Sequence, residues 1–194
     1  MNVRRIVLGV SGASGAAIAM RIAERLSMLE GIETHLVVST AAERTFAHEL
    51  DADALCRLEG LVARRHAIGD IGAAIASGSF RTAGMIVAPC SMRSLAGIAS
   101  GLSDTLLIRA ADVHLKERRP LVLLARETPL HLGHLRNMVA VTEMGAIVMP
   151  PVPAFYRLPA TVGEIIDHVA ARAIDLLRLA DEPLAQEWMG EGRG

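Results

Sequence analysis

The chain has 194 residues and a formal net charge of −1, and 52% of its residues are hydrophobic whereas only 3% are aromatic. This length fits one domain with a sizeable core, which must be built from aliphatic side chains and Met. A charged fraction of 21% is ordinary for a globular protein and excludes a disordered chain. The near-neutral charge excludes a general attraction to nucleic acid, so any anion site must be local.

The cysteines and the N-terminal segment indicate the cellular compartment in which the protein is expected. Cys56 and Cys90 form neither a CxxC pair nor a disulfide framework, which favours a reducing compartment. The segment MNVRRIVLGVSGASGAAIAM has the look of a signal peptide, but its apolar run is short and charged residues follow it directly. Because no apolar stretch is long enough to span a bilayer, we expect a soluble, cytoplasmic protein.

Strands and helices are predicted to alternate along the chain. Buried strands are predicted at residues 3–10, 34–39, 85–88, 121–125 and 146–149, the third of them closed by Pro89. Apolar residues at helical spacing predict helices from residue 14 and at 41–50, 91–100, 104–118 and 131–144, and a capping box at residues 161–164 opens a last helix that runs to about residue 180. This alternation is typical of a doubly wound parallel sheet in a three-layer α/β/α fold.

The predicted elements form one domain over residues 1–180. The remaining tail, 181–194, is polar apart from Trp188, and we expect it to lie on the surface or to dock on a neighbouring subunit. In a doubly wound sheet the ligand binds beyond the carboxyl ends of the strands, at the point where the strand order reverses. The candidate site is therefore the set of residues that follow the strands: Ser11–Gly15, Ser39, Cys90–Ser94, Arg126–Glu127 and the loop after Met149.

Two of these segments join a strand to a helix through small residues. GVSGASG, residues 9–15, lacks the GxGxxG spacing, the Lys of a P-loop and the GxSxG of a hydrolase elbow, but it offers free backbone N–H groups to an anion or a polar ring edge. The alternative is a tight turn that needs small residues. Ser91 and Ser94 flank the next such helix start, where simple N-capping is the alternative. Cys90 is interpreted as a small buried thiol rather than a nucleophile, since no His lies near it in sequence.

Lys116 is the only lysine of the chain, although Lys and Arg together number 20. Arg109, Asp112 and Lys116 share one helical face, and a compact ammonium suits a phosphate oxygen. The alternative is a solvated charged face. Arg118 and Arg119 are interpreted as cations at a helix end.

Four further polar residues stand out later in the chain. Arg126 and Glu127 directly follow a strand, where an adjacent base and acid favour chemistry. Arg172 follows the helical spacing of an apolar stripe, so it either snorkels or meets an anion. Tyr156, in the loop PPVPAFYRLP, is a lid hydroxyl or a loop anchor.

The predicted cations exceed what one phosphate needs. Arg109, Lys116, Arg126 and Arg172 are mostly expected to face inward, which favours two phosphate-bearing ligands. A metal triad of Glu127, His131 and His134 is disfavoured, because HLGH is not HExxH and Pro129 interrupts the spacing.

Several segments together resemble the flavin prenyltransferases of the UbiX type. They are GVSGASG, VVSTAAERT, ASGSF, PCSM, RAADVHLKERRPLVLLARETPLHLGHLRNM and GAIVMPPVPAFY, which extend nearly from end to end. The resemblance implies a flavodoxin-like, Rossmann-like fold that commonly assembles as dodecamers of trimers. It also implies a metal-independent transfer of the dimethylallyl group from dimethylallyl phosphate to reduced FMN, with new bonds at flavin N5 and C6. A separate decarboxylase would use the prenylated FMN, in ubiquinone synthesis or aromatic-acid breakdown.

The resemblance also implies roles for individual residues. The FMN ligands would be Gly12, Ala13, Ser14, Ser39, Ser91, Met92, Arg93 and Ser94, with Arg126 at the flavin edge. The dimethylallyl phosphate ligands would be Lys116, Tyr156 and Arg172, with Arg109 nearby and some supplied by neighbouring subunits. The catalytic residues would be Glu49, Glu127 and Ser14.

Two other functions remain open from the sequence. One is a flavin-dependent decarboxylase on the same fold that acts on a C-terminal cysteine, which would use a catalytic His and different loop chemistry. The other is a non-catalytic FMN carrier for a decarboxylase, which would need the Gly/Ser contacts but no second phosphate site.

Overall fold

A wholly parallel, six-stranded sheet forms the centre of the molecule. In the computed structural model, which describes residues 3–179, 182–188 and 190, the strands are β1 Arg4–Val10, β2 Ile32–Val38, β3 Arg64–His66, β4 Gly84–Cys90, β5 Leu121–Ala125 and β6 Ile147–Val148. Their order is β3-β2-β1-β4-β5-β6. Apart from the three-residue edge strand β3, this is the flavodoxin order, in which the chain winds outward in both directions from β1.

Seven helices cover the sheet within the part of the chain that the structure describes. They are α1 Ala16–Ser27, α2 Thr40–Glu49, α3 Ala54–Gly60, α4 Met92–Ala99, α5 Leu106–Lys116, α6 Leu132–Glu143 and α7 Val162–Asp175. None of the helices in these residues is long and apolar enough to cross a membrane. The α/β/α arrangement predicted from the sequence is confirmed.

The core consists of one apolar layer on each face of the sheet. Ile6 and Leu8 of β1 point into the layer that α1, α2 and α7 cover, whereas Val7 points into the layer of α4 and α5. Both faces of β1 are therefore buried, as expected for a central parallel strand. Phe46 on α2 is the largest fully buried side chain among the described residues, at 1% exposed.

Most predicted elements are confirmed, but several limits were wrong. Pro89 does not close its strand, because β4 continues to Cys90 through a register shift that lets a residue without an N–H sit in the ladder. The helix predicted at 104–118 begins only at Leu106 and ends at Lys116, where Arg118 turns with a φ of 55°. The last helix ends at Asp175 rather than near residue 180. The sequence reading missed α3 and β3 altogether.

Candidate active site

The point where the strand order reverses lies between β1 and β4, and hydrogen bonds connect the loops around it. The backbone N–H of Ser39, after β2, donates to Val10 O at 2.9 Å. The N–H of Arg126, after β5, donates to Cys90 O at 3.1 Å. Between β1 and β4 the connection is Ser11: its backbone N–H donates to Pro89 O at 3.2 Å, and its hydroxyl donates to Pro89 O at 2.9 Å and accepts from Ser91 N at 2.7 Å. The four strand ends therefore form one continuous floor.

The β1–α1 loop needs its glycines. A Cβ on Gly12 would collide with the Ala41 side chain and lie 3.2 Å from the Ala41 backbone carbon. Gly15, the N-cap of α1, has a φ of 128°, which side chains rarely adopt. Small residues thus allow the start of α2 to approach this loop closely, while Gly12 and Ser14 stay exposed on the outside of the crevice.

Glu49 places a carboxylate at the N-terminus of α1. Its Oε2 accepts from Gly15 N at 2.9 Å and from Ala16 N at 2.8 Å, and the Ser14 hydroxyl also bonds to it. Burial alone would raise the pKa of Glu49. These hydrogen bonds and the nearby Arg126 charge outweigh burial and hold that pKa below its ordinary value. Glu49 is therefore ionised at neutral pH, and its interaction with Arg126 brings the two predicted site residues together.

The β4–α4 segment is arranged as a helix start. The Ser91 hydroxyl caps α4 by accepting from Ser94 N at 3.3 Å. Arg93 extends outward, where it is 3.4 Å from Asp104, and Met92 packs partly into the α4–α5 layer. The prediction that Cys90 is a small buried thiol is confirmed, and this burial raises the pKa of the thiol to about 12.

Glu127 follows Arg126 at the carboxyl end of β5. The side chains of both residues are exposed, and Glu127 Oε1 accepts from Thr128 N at 3.0 Å. The flavin-edge set, which we define as Gly12–Ser14, Ser39, Glu49, Ser91–Ser94, Arg126 and Glu127, thus lies at the carboxyl edge of the sheet.

Lys116 lies at the opposite edge. It is in the last turn of α5, five residues before β5 begins, whereas Arg126 follows the end of that strand. A five-residue strand spans roughly 16 Å, so the length of β5 separates the backbones of the two residues in one protomer. Lys116 is exposed and forms an ion pair with Glu117. A Cβ on Gly78 would lie only 2.7 Å from its Nζ, so the Ser77–Phe80 loop passes directly beneath it.

Arg172 is in the last turn of α7, and Tyr156 contacts the tail. Arg172 lies 3.6 Å from Asp175 and shares a cavity with Leu29, which follows the end of α1, so it too is near the N-terminal edge of the sheet. Tyr156 is 57% exposed, and its ring contacts the Trp188 ring edge-on at 5.3 Å. Asp175 accepts backbone N–H groups of the tail at Leu184 and Ala185, so the described tail packs along α7 of its own protomer.

The expectation that the cations face inward together was wrong. Lys116, Arg126 and Arg172 are all exposed, and Arg109 is held at the side of the fold by Ala76 O at 3.2 Å and Asp112 at 2.7 Å. The helical spacing correctly placed Arg109 beside Asp112, but it could not show at which edge of the sheet each helix ends. Lys116 and Arg172, which the resemblance assigns to dimethylallyl phosphate and which we call the phosphate-edge set, are thus separated from the flavin-edge set. Within one protomer they are also on opposite faces of the sheet, because α5 packs in one apolar layer and α7 in the other.

Two residues that contact the predicted site residues, Ser11 and Gly78, were not singled out individually from the sequence. Ser11 was included only as part of a strand-end range, and its position directly after β1 was the available signal. Gly78 was included only in the segment ASGSF of the family resemblance, and its contact with Lys116, which spans 38 positions, could not be predicted from the local sequence. A cavity of about 580 Å³ lies between α7 and the tail rather than at the strand ends.

The flavin-edge set fits a flavin phosphate and ring edge. Three helices begin there, and their first backbone N–H groups suit an anion or a polar ring edge. Within the described ranges, no three His, Cys, Asp or Glu side chains are close enough together to hold a metal ion.

Comparisons with known proteins agree with this arrangement. A family model described as Flavoprotein matches residues 1–173. The flavin prenyltransferase UbiX of Thauera aromatica is 53% identical over 186 residues, which cover 96% of this chain and 94% of the relative.

Two solved structures are similar to the fold. One is AnUbiX (PadA1) in complex with FMN and dimethylallyl pyrophosphate, with a TM-score of 0.90, 44% identity and coverage of 97% of this chain and 99% of that one. The other is a dodecameric FMN-dependent UbiX-like decarboxylase from Escherichia coli O157:H7, with a TM-score of 0.90, 45% identity and coverage of 96% and 99%. On this similarity over nearly the whole length, the chain belongs to the flavin prenyltransferases of the UbiX family.

Proposed function

We propose that this chain, a UbiX-family flavin prenyltransferase, joins the dimethylallyl group of dimethylallyl phosphate to N5 and C6 of reduced FMN. The observation that carries the proposal is the group of helix starts and small residues at the carboxyl edge of the sheet, together with two exposed cations, Lys116 and Arg172, at the opposite edge. The flavin-edge set is suited to FMN. The phosphate-edge set supplies cations for a second phosphate, which a ligand carrier would not need.

The flavin-edge set would bind and orient FMN. The N–H groups at the starts of α2 and α4 and the hydroxyls of Ser39, Ser91 and Ser94 suit its phosphate and ring edge. Reduced FMN supplies the nucleophilic atoms, while the allylic carbon–oxygen bond breaks with its electron pair on phosphate. Holding the two reactants in line removes an entropic barrier that the free reactants would meet.

Charged side chains would then stabilise the negative charge on the departing phosphate and the positive charge on the allyl fragment. Lys116, Arg172 and Arg126 would stabilise the departing phosphate. Hydrogen bonds stabilise the ionised form of Glu49, which would place a negative charge near the developing allyl cation. Glu127, exposed beside Arg126, would move the proton between flavin and phosphate.

The separation of the two sets supports an oligomeric site. Because the length of β5 separates Lys116 from Arg126 in one protomer, neighbouring copies would supply the phosphate ligands. The apolar side chains of Leu132, Leu135 and Val139 on α6 are exposed and would be covered in such an assembly. A homododecamer is the proposed state, as in the similar E. coli structure.

The product would serve a prenylated-FMN-dependent decarboxylase, as the resemblance implies, with ubiquinone synthesis as one such pathway. Both cysteines are free thiols, and reduced flavin also requires a reducing environment, so we place the reaction in the cytoplasm.

A mass measurement tests the proposal. The protein is incubated anaerobically with reduced FMN and dimethylallyl phosphate, and the flavin is extracted for mass spectrometry. A flavin heavier by one prenyl unit is expected. FMN recovered unchanged from protein that binds it would favour the carrier, and release of CO2 from a peptide ending in cysteine would favour the decarboxylase.

A further inference from the structure

The floor of the crevice contains one buried side chain that touches both central loops, and it has no role in the proposed chemistry. Ser11 is 1% exposed and directly follows β1. We propose that Ser11 is a positioning residue for FMN: its hydroxyl fixes the β4–α4 loop against the β1–α1 loop, so that the two flavin-contacting segments are held at one spacing. This inference rests on the proposed function, because it assumes that FMN binds at these two loops.

The Ser11 hydroxyl uses both its donor and its acceptor capacity across the gap. It donates to Pro89 O at 2.9 Å and accepts from Ser91 N at 2.7 Å. The Ser11 backbone N–H also donates to Pro89 O, at 3.2 Å. Parallel strands β1 and β4 pair only as far as Gly9 and Val87, so beyond this point the Ser11 bonds continue the connection that the sheet no longer makes.

The connection extends from Ser11 into α4. Ser91, held through its backbone N–H, caps the helix with its own hydroxyl at 3.3 Å from Ser94 N, and its hydroxyl lies 3.2 Å from Ser94 Oγ. The first N–H groups of a helix have no partner within the helix. Their direction relative to Gly12–Ser14 therefore depends on where Ser91 is held, which is set by Ser11.

Removing the hydroxyl should loosen this spacing rather than the fold as a whole. Ser11→Ala would leave the partly buried N–H of Ser91 without its acceptor, while Pro89 O keeps the Ser11 backbone N–H as a donor. The β4–α4 loop could satisfy Ser91 only by shifting towards water, and the two loops would then have to be reordered by FMN at a cost in affinity.

The test compares FMN binding by Ser11→Ala with a matched control. Ser27→Ala removes a hydroxyl that also donates to a backbone carbonyl, Glu24 O at 2.8 Å, but on the exposed end of α1. Oxidised FMN is titrated into apo-protein by fluorescence quenching, urea unfolding checks the fold, and the visible absorption band reports the flavin environment. We expect the FMN Kd to rise about ten-fold in Ser11→Ala with an altered band shape, and no change in Ser27→Ala.

A second variant keeps the test decisive if Ser11→Ala folds poorly. Ser11→Cys keeps the shape of the side chain in a somewhat larger group that bonds only weakly, and a Kd raised several-fold is expected. At saturating FMN, the KM for dimethylallyl phosphate should stay within about two-fold of wild type, since the phosphate-edge set is untouched.

The outcomes are distinguishable. An unchanged FMN Kd and band in the folded Ser11 variants, whatever their stability, would show that Ser11 is merely structural and overturn the inference. Failure of the wild-type protein to bind FMN would instead count against the proposed function.

Discussion

His114 on α5 should make the stability of this protein sensitive to mild acid. Its ring is buried, with Nδ1 at 2.7 Å from Ala110 O and Nε2 at 2.8 Å from Thr82 Oγ1, and Thr82 Oγ1 also accepts from Arg119. Burial lowers the pKa of His114 to about 4, and the Arg119 charge acts in the same direction. The folded protein therefore keeps this ring neutral where the unfolded chain would protonate it.

The size of the effect follows from the two pKa values. The folded-state value lies below the ordinary 6.5, so the contribution is fully present above about pH 6.5 and is lost as the pH falls towards 4. At about 1.36 kcal/mol per pH unit, the loss from this single group is about 2 kcal/mol by pH 5 and about 3 kcal/mol by pH 4.

Urea unfolding of the wild type and of His114→Gln, at pH values between 7.5 and 4.5 and one protomer concentration, isolates this contribution. The variant will have a lower stability at pH 7.5, but its free energy of unfolding should fall less steeply with acid. Contributions from groups that the substitution leaves unchanged cancel in the comparison. Profiles that run parallel, within about 0.5 kcal/mol between pH 7.5 and 5, would refute the reasoning.

Three further predictions concern the phosphate-edge set and the core. Lys116→Ala should lower kcat/KM for dimethylallyl phosphate at least about 100-fold with little effect on the FMN Kd, whereas the neighbouring Arg118→Ala should change neither; a matching loss of FMN binding would show that the two sets are not separate. Gly78→Val should raise the KM for dimethylallyl phosphate by displacing Lys116, yet alter the free energy of unfolding by less than about 1 kcal/mol, because the displaced atoms end flexible side chains; an unchanged KM would contradict this. Phe46→Ala should cost about 3–5 kcal/mol in urea unfolding and Phe46→Leu under half of that, and equal costs would argue against a closely packed site.

The strands of the sheet were predictable where the sequence is apolar throughout. β1 and β5 read directly as buried strands, because both of their faces lie inside the molecule. β3 was missed because a three-residue edge strand containing Arg64 and Arg65 needs neither length nor an apolar face. Pro89 misled the reading of β4 because a bulge accommodates the missing N–H, and a bulge has no signature in a single sequence.

The sequence predicted which residues follow the strand ends, but not the contacts and distances between the site residues. Following each strand to its last residue placed Ser11 and Arg126 correctly at one edge. Glu49 could not be assigned to the start of α1 from the residues themselves, since its bonds to Gly15 and Ala16 span more than 30 positions. Helical spacing predicted the face of α5 on which Lys116 lies. It could not predict the separation of Lys116 from Arg126, which depends on the length of β5.

The single lysine has a practical consequence in protein chemistry. Lys116 carries the only ε-amine of the chain, and its side chain is 45% exposed in the protomer. Acylating or reductively methylating reagents therefore have one side-chain target, besides the α-amine. If neighbouring copies supply this amine to the phosphate site, its rate of labelling becomes a direct chemical readout of assembly and of phosphate occupancy, without any mutation.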